Sequence, residues 1–504
     1  MNKLTLIIII LVAIGLTGSG KISDVGQWKR LELTFHNDSW NGNPFDLTLT
    51  GHFTSPSGRE LTQFGFYAGD NTWKIYFMPD EIGTWTYRAK SSNRNLDGQS
   101  GSFQCVKSDI KGALTTDGNR WKFKGDGGAF PVIWSPPVPD GVQWGFRGRD
   151  ISNPDVQDAL RYASDIVEAD LLGFGALLIK PVGWAKQWPQ SAVPYVLGKE
   201  GDTFNLSFWD QLNAKLDSAR NLGMGAYIML YSDDEQTPDN FGLTPRSKKE
   251  IRFFRYIVAR LACYPNIIWD TGIDIGEYRS KDWINWYARW FRSHDPWQHP
   301  VGSRTGGGSG GSMPEAGTYY STGGASIPSR ADLLQYLQLD VPVAHTDHWR
   351  PFISRGNWTH DKIRIVHWRC ALSGFQALYP DYNQGDVVFN QVKTGGKYIG
   401  YVTKFFKTMV RSDLLDLAPH DELIAGGDSV IVAANPGHEY ILYDQNGGLM
   451  ALNLRETNNA FNGLWYNPRT GNKQEIQPIN GGNISRFNSP TSGKDWVLLL
   501  QEAP

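Results

Sequence analysis

The period of the hydrophobic positions changes twice along the chain. From about residue 25 to 106 it is two: Leu31, Leu33 and Phe35 alternate with Glu32 and Thr34, and the same alternation runs through 46–50 and 72–77. A period of two puts every second side chain on one face of a strand. Turn clusters such as Ser55-Pro56-Ser57-Gly58 separate these runs, and 83–87 and 98–103 continue the pattern. Regular short strands with turns between them predict a β-sandwich over 25–110.

From about 118 to 416 short apolar runs alternate with stretches of helical spacing. Strands are predicted at 131–134, 173–179, 225–230, 266–273, 300–303, 317–320, 341–346 and 374–379. Helices are predicted at 154–170, 208–222, 245–261, 283–292, 331–337, 362–372 and 398–415. Residues 121–123 and 127–130 form a bridge into the first strand. Repeated strand–helix units make a parallel sheet, and eight of them make a (β/α)8 TIM barrel. The loops after strands two, three and five are long, and the last of these carries the glycine-rich run 306–311. From 419 to 504 the β pattern returns, with strands at 429–434, 439–443 and 495–500 and a strand running into a turn at 465–471. The expected class is α/β: a TIM barrel flanked by N-terminal and C-terminal β-sandwich domains.

Residues 1–20 change the picture of location. Lys3 precedes an apolar segment over 4–16 and the small residues Thr17-Gly18-Ser19-Gly20, the layout of a signal peptide. The apolar segment is too short to favour a spanning helix. A secreted or periplasmic protein is expected, with no membrane association after cleavage. The net charge of −2 points to neither nucleic acid nor an anionic membrane. Cys105, Cys263 and Cys370 are far apart, odd in number and without a zinc-like Cys/His pattern, and read as buried thiols. No metal or other cofactor is expected. The 20 tryptophans suit stacking on sugars, although ordinary core packing accounts for at least half of such residues.

Chemistry concentrates at two strand ends. In Asn-Ile-Ile-Trp-Asp-Thr-Gly-Ile-Asp, over 266–274, an apolar strand closes on an acid, and strand alternation places Asp270, Gly272 and Asp274 on one face. At 341–349 a second apolar strand closes on Asp347, flanked by His345 and His348 and followed by Trp349 and Arg350. Two carboxylates on the ends of two strands fit glycoside hydrolysis, in which one protonates the leaving oxygen and the other stabilises or traps C1. Asp274 is the expected general acid/base and Asp347 the nucleophile. Glu277 is the rival acid. Tyr231, Asp233, Asp234 and Glu235 close strand three, where they bind sugar hydroxyls, hold a structural cation or form a solvated turn. Trp134, Lys180, Trp184, Tyr231, Asp234, Glu277, Arg304, His345, His348, Trp349 and Arg350 are the candidate substrate contacts, with Trp188 and Trp368 as further stacking candidates.

These same segments resemble a known family. The strand-four stretch is similar to that of apiosidase-like (β/α)8 glycoside hydrolases, where Trp-x-x-Gly-x-Asp presents a catalytic acid. The run 342–381 resembles the same family's strand-seven-to-eight segment. There an acid closes strand seven, an arginine begins the next helix, and an aromatic-x-x-Ala-Leu-x-Gly run follows. Here these are Asp347, Arg364 and His-Trp-Arg-Cys-Ala-Leu-Ser-Gly-Phe from His367. The chain departs from the family at Ile273, where glycine is common, and at Asp347, where glutamate is common. Gly83-Thr84-Trp85-Thr86-Tyr87 resembles the β-sandwich that precedes such barrels. Trp-Tyr-Asn-Pro-Arg-Thr-Gly at 465–471 and Gly-Lys-Asp-Trp-Val-Leu-Leu-Leu at 493–500 resemble the C-terminal sandwich of the "putative collagen-binding" type. The resemblance implies an exported hydrolase of a plant or algal polysaccharide, acting with retention. The competing classes are a non-catalytic carbohydrate-binding barrel and a polysaccharide lyase.

Overall fold

The structure is a computed structural model. It describes residues 24–125, 176–179, 194–196, 198–199, 201–221, 225–231, 237–272, 274–303, 313–322, 329–345, 360–374, 376–377, 398 and 400–504. Two units divide the chain: Met1–Ile110 with Phe254–Cys263, and Lys111–Phe253 with Tyr264–Pro504.

The first unit is β-rich. Its strands are β1 (Val25–Gly26), β2 (Leu31–His36), β3 (Leu49–Thr54), β4 (Glu60–Gly69), β5 (Thr72–Phe77), β6 (Gly83–Ser91) and β7 (Ser100–Val106). They form one sheet in the order β1-β7-β6-β3-β4-β5-β2, and only the β1–β7 pair is parallel. Alternation explains the buried face: Leu49 and Phe53 on β3 and Trp73, Ile75 and Phe77 on β5 all point inward. Phe53 stacks on Phe77 at 3.6 Å although β4 lies between their strands, so the sheet curls over its own core. The run expected from residue 46 starts later. Asn43 caps a 3-10 turn at Pro44–Asp46 by accepting the Phe45 amide, and β3 begins only at Leu49. Strand β4 escapes the pattern because one of its buried side chains is polar: Gln63 donates to the Val258 carbonyl at 3.2 Å.

The second unit opens with a hairpin, β8 (Leu114–Asp117) and β9 (Arg120–Phe123), where the sequence suggests only a bridge. Seven parallel strands follow. β10 (Ala176–Ile179), β11 (Gly225–Tyr231), β12 (Ile267–Gly272) and β13 (Val301–Gly302) make one sheet. β14 (Tyr320–Thr322), β15 (Val343–His345) and β16 (Gln376–Ala377) make another. Every neighbouring pair is parallel and in chain order. They match predicted strands two to eight, with β13 shorter, β14 shifted toward the C-terminus and β15 starting later, at Val343. The first predicted strand and the helix at 154–170 lie outside the described residues.

Between the strands come α1 (Leu206–Asn221), α2 (Lys248–Leu261), α3 (Lys281–His294), α4 (Arg330–Tyr336) and α5 (His360–Leu372). Residues 400–408 are also helical. Strand β11 is buried at all its positions, which is why it reads as an unbroken apolar run.

One core cluster joins both parallel sheets to the hairpin. It holds Leu114 and Trp121 from the hairpin, Tyr227 and Met229 from β11, Ile268 from β12, Tyr319, and Ala344 from β15. The Leu114 amide donates to the Pro265 carbonyl at 2.5 Å, so the hairpin sits at the N-terminal end of β12. The Thr318 amide donates to the Val301 carbonyl at 2.8 Å and ties the stretch before β14 to β13.

The chain ends in two antiparallel sheets. The strands are β17 (Ala418–Pro419), β18 (Ile424–Gly426), β19 (Val430–Asn435), β20 (Glu439–Asp444), β21 (Leu449–Asn453), β22 (Ala460–Tyr466), β23 (Lys473–Asn480), β24 (Ile484–Asn488) and β25 (Trp496–Glu502). Six form β17-β19-β20-β25-β22-β23 and three form β18-β21-β24. Val430, Val432 and Ala434 pack with Met450 and Leu452 between the sheets. Ile431 and Ala433, on the opposite face of β19, pack with Trp368 and Leu372 of α5 and with Val402 and Phe405. Both faces of the six-stranded sheet are therefore covered at β19, β20 and β25, which accounts for the continuous apolar runs there. Polar clasps complete the junction: Arg330 of α4 meets both carboxylate oxygens of Asp421 at 2.9 Å. The three cysteines are free and buried, as their spacing suggests. Among the described residues, no helix is long and apolar enough to cross a membrane.

Candidate active site

Strand β12 delivers the first candidate acid, by a different local geometry from the one expected. The strand ends at Gly272, whose φ is +137°. A side chain there would also collide with backbone, since a Cβ would lie 2.4 Å from the Tyr231 carbonyl oxygen. Only glycine fits both demands. Asp274 lies beyond the strand, in the left-handed region at φ 47° and ψ 37°, and begins the 3-10 turn Ile275–Glu277. Strand alternation therefore does not reach Asp274, and the expectation that it shares a face with Asp270 is corrected.

Asp274 is half-buried, and its carbonyl accepts the Glu277 amide at 2.9 Å. Glu277 is exposed. The two rival acids thus sit on one short turn, with Ile275 between them fully buried as its anchor.

Asp270 lies deeper and bonds its neighbours, as its place inside the strand suggests. It is fully buried, accepts the Gly272 amide at 2.9 Å and accepts the Tyr319 hydroxyl at 2.8 Å. Burial raises the Tyr319 phenol well above its ordinary range, and the Asp270 charge raises it further, so Tyr319 remains the proton donor.

Tyr231 is not a substrate contact in this structure. It is fully buried, stacks on Phe253 at 5.9 Å, and its hydroxyl donates to Glu250 Oε1 at 3.1 Å. An apolar strand end backed by a helix draws the ring inward, and the hydroxyl finds its partner there. Trp368 is likewise a core residue, fully buried and stacked on Tyr443 at 5.9 Å.

The second candidate acid, Asp347, follows β15 in the sequence. That strand pairs with β14 and β16 up to His345, which aligns with Thr322 and Ala377. Asp347, His348, Trp349 and Arg350 lie outside the described residues, as does the His345 side chain. Trp134, Lys180, Trp184, Trp188, Asp233, Asp234, Glu235, Arg304 and the run 306–311 also lie outside them.

A buried polar network beneath the Asp274 turn escaped the sequence reading. Its centre is Glu250, in the first turn of α2. Ser247-Lys248-Lys249-Glu250 has the form of a capping box, and the Ser247 hydroxyl does accept the Glu250 amide at 3.2 Å. The Glu250 carboxylate turns inward, however. Oε1 accepts from Tyr231 and from Arg279 Nη2 at 3.3 Å, while Oε2 accepts from Trp283 Nε1 at 3.0 Å and the Arg246 amide at 2.5 Å. Burial raises the pKa of Glu250 above its ordinary value, against the hydrogen bonds and the Arg279 charge that lower it. A local motif identifies the cap but not the distant donors that claim its side chain.

A second buried acid supports the strand from outside. Asp295, after α3, accepts Trp269 Nε1 at 2.9 Å and pairs with His299 Nδ1 at 2.7 Å. Burial opposes its charge, but the His299 interaction and the hydrogen bonds prevail and hold its carboxyl below the ordinary value. Among the described residues no group of three His, Cys, Asp or Glu side chains could hold a metal ion.

Two family models match parts of the chain. One is described as "Domain of unknown function (DUF5060)" and covers residues 24–92. The other is described as "Putative collagen-binding domain of a collagenase" and covers residues 419–501. No curated protein matches the chain. Among solved structures, a "putative glycoside hydrolase" from Bacteroides vulgatus ATCC 8482 superposes with a TM-score of 0.76 at 18% identity, covering 96% of this chain and 100% of its own. A glycoside hydrolase family 5 structure from the same organism has a TM-score of 0.61 at 16% identity, covering 78% of this chain and 93% of its own. A third, described as a glycoside hydrolase, has a TM-score of 0.61 at 14% identity, covering 78% and 97% respectively. At these identities the likeness is one of fold.

Proposed function

We propose that the chain is an exported glycoside hydrolase built on a (β/α)8 barrel, with Asp274 as general acid/base and Asp347 as nucleophile. The observation that carries this reading is the position of Asp274. It is half-buried and follows the carboxyl end of an interior parallel strand, in a left-handed conformation that residues other than glycine seldom adopt. In barrels of this kind the catalytic side chains come from the carboxyl ends of the strands.

Seven parallel strands in chain order and one interior cluster shared by both sheets support the barrel. The fold likeness to solved glycoside hydrolases supports the reaction class. The proposed organisation is a signal peptide at 1–20, a sandwich at 25–110, the barrel at 118–416 and a second sandwich at 419–504. The substrate class is a plant or algal polysaccharide or its oligosaccharides, and the protein is secreted or periplasmic.

The mechanism follows from the chemistry of the two acids. Asp274 protonates the glycosidic oxygen as the bond to C1 breaks, and Asp347 forms a covalent bond to C1. Asp274 then takes a proton from the water that releases the sugar, so the anomeric configuration is retained. Retention requires carboxyl groups about 5–5.5 Å apart.

Incubation with a glycan panel tests the reading. The panel includes pectic side chains, arabinogalactans and sulfated algal galactans, and the products are analysed by mass. Hydrolysis yields fragments that have gained water. An unsaturated product would identify a lyase, and binding without any product would identify a carbohydrate-binding protein.

A further inference from the structure

We propose that Glu250 is a positioning residue for the strand-four acid and acts through Arg279; this rests on the reading of Asp274 as that acid. The segment after Gly272 carries Asp274 and Glu277 and rejoins regular structure at Ser280, the cap of α3. It has two buried anchors. Ile275 is one. The Arg279 side chain, with no exposed surface, is the other.

Arg279 reaches three directions at once. Nη1 donates to Asp239 Oδ2 at 2.8 Å, and Nη2 donates to the Leu243 carbonyl at 2.5 Å and to Glu250 Oε1 at 3.3 Å. The guanidinium lies 5.3 Å from the Trp283 ring centre and 5.8 Å from that of Tyr231. Glu250 is the only one of its acceptors that is both charged and fully buried: Asp239 is substantially exposed.

The same carboxylate accepts from the tip of β11, from α3 and from the loop before α2. Glu250 therefore binds the strand beside β12, through Tyr231, to the C-terminal end of the turn that carries the acid, through Arg279 and Trp283. Three backbone bonds then hold that turn's shape: the Glu277 amide donates to the Asp274 carbonyl at 2.9 Å, and the Tyr278 and Arg279 amides donate to the Ile275 carbonyl at 3.3 and 2.8 Å. A catalytic group displaced by about 1 Å loses on the order of a hundredfold in rate. A buried ion pair whose partners have no solvent to fall back on is suited to prevent such a shift.

Glu250→Gln keeps the shape and removes the charge. Arg279→Lys keeps the charge and removes the fork, and serves if the first variant does not fold. Hydrogen exchange of the Glu277, Tyr278 and Arg279 amides is measured in the full chain, with β20 and β25 as internal reference. The expected result is exchange at least about tenfold faster at the turn and unchanged in the reference strands. On a glycoside with a poor leaving group, kcat per folded molecule falls at least about tenfold while KM stays within about threefold. Wild-type exchange at the turn overturns the proposal, and so does faster exchange with unchanged kcat. Wild-type activity in Asp274→Asn overturns the reading of the acid, and with it this proposal. Failure of the positioning role alone is recognised by an inactive Asp274→Asn beside a fully active Glu250→Gln.

Discussion

The Asp495 carboxylate receives two nitrogens of the Arg364 guanidinium, Nε at 2.7 Å and Nη2 at 2.9 Å, across 131 residues of chain. Arg469 Nη1 adds a third bond at 2.7 Å and the Tyr443 hydroxyl a fourth at 3.2 Å. Arg364 lies on α5, the helix after the strand that leads to Asp347, and Asp495 immediately precedes β25. The C-terminal sheets are thus fastened to the helix that leads away from the second candidate acid.

Removing one member of this cluster leaves buried guanidinium charge without its counterpart. Asp495→Ala is expected to cost about 3–5 kcal/mol. Urea titration of the full chain checks this, and the C-terminal sheets should unfold in the same transition as α5, because they share a core. Separate transitions for the two in wild-type protein would contradict that.

Gly272→Ala places a side chain at a positive φ and against the Tyr231 backbone. The cost should exceed about 1 kcal/mol, the usual gain from Gly→Ala at a permissive site having reversed its sign. Hydrolysis should suffer more than stability suggests, because the strain falls two residues before Asp274. Comparing kcat with the urea midpoint separates the two effects.

Trp121 fills the end of the shared interior and is almost wholly buried. Trp121→Ala should lose about 3–5 kcal/mol. Its neighbour Lys122 makes a surface ion pair with Asp117 at 2.5 Å, and Lys122→Ala should cost no more than about 1 kcal/mol. Chemical denaturation of both variants gives the contrast.

Two buried acids give opposite pH dependences. Asp295 is held below its ordinary value of 3.8, so the unfolded chain takes up the proton first as pH falls. Its contribution is present above 3.8 and is lost on further acidification through the folded value. Glu250 is raised above its ordinary value of 4.5, so the folded chain keeps that proton longer. Its contribution is fully present below 4.5 and is lost as pH rises through the folded value. Denaturant midpoints between pH 3 and 7 should show a shallower acid loss in Asp295→Asn and a flatter profile above pH 4.5 in Glu250→Gln.

The two proposed catalytic acids should respond differently to the leaving group. Asp274→Asn should suppress hydrolysis of glycosides with poor leaving groups and spare activated aryl glycosides, which need little protonation. Asp347→Asn should abolish both, because C1 then lacks its nucleophile. Proton NMR of the first-formed anomer should show retention. An inverted product would rule out the double displacement, and full activity in both variants would move attention to Glu277.

What the sequence determined by itself is what local periodicity encodes. The two-residue alternation of Leu31, Leu33 and Phe35, the apolar runs of β11 and β12, and the helical spacing between them each depend on a few neighbouring residues, and each appears where expected. The turn at Asp274 needed more. Just before it, Gly272 lies against the Tyr231 carbonyl of the adjacent strand, a contact between residues 41 positions apart that no period reports. Glu250 reads locally as half of a capping box, yet Tyr231, Arg279 and Trp283 take its carboxylate, because a buried charge goes to the donors that tertiary packing brings within reach. The unbroken apolar strands near the C-terminus carried a hint that both faces are covered. Only the fold identified the cover as α5, since side-chain chemistry records that a face must be buried without recording against what.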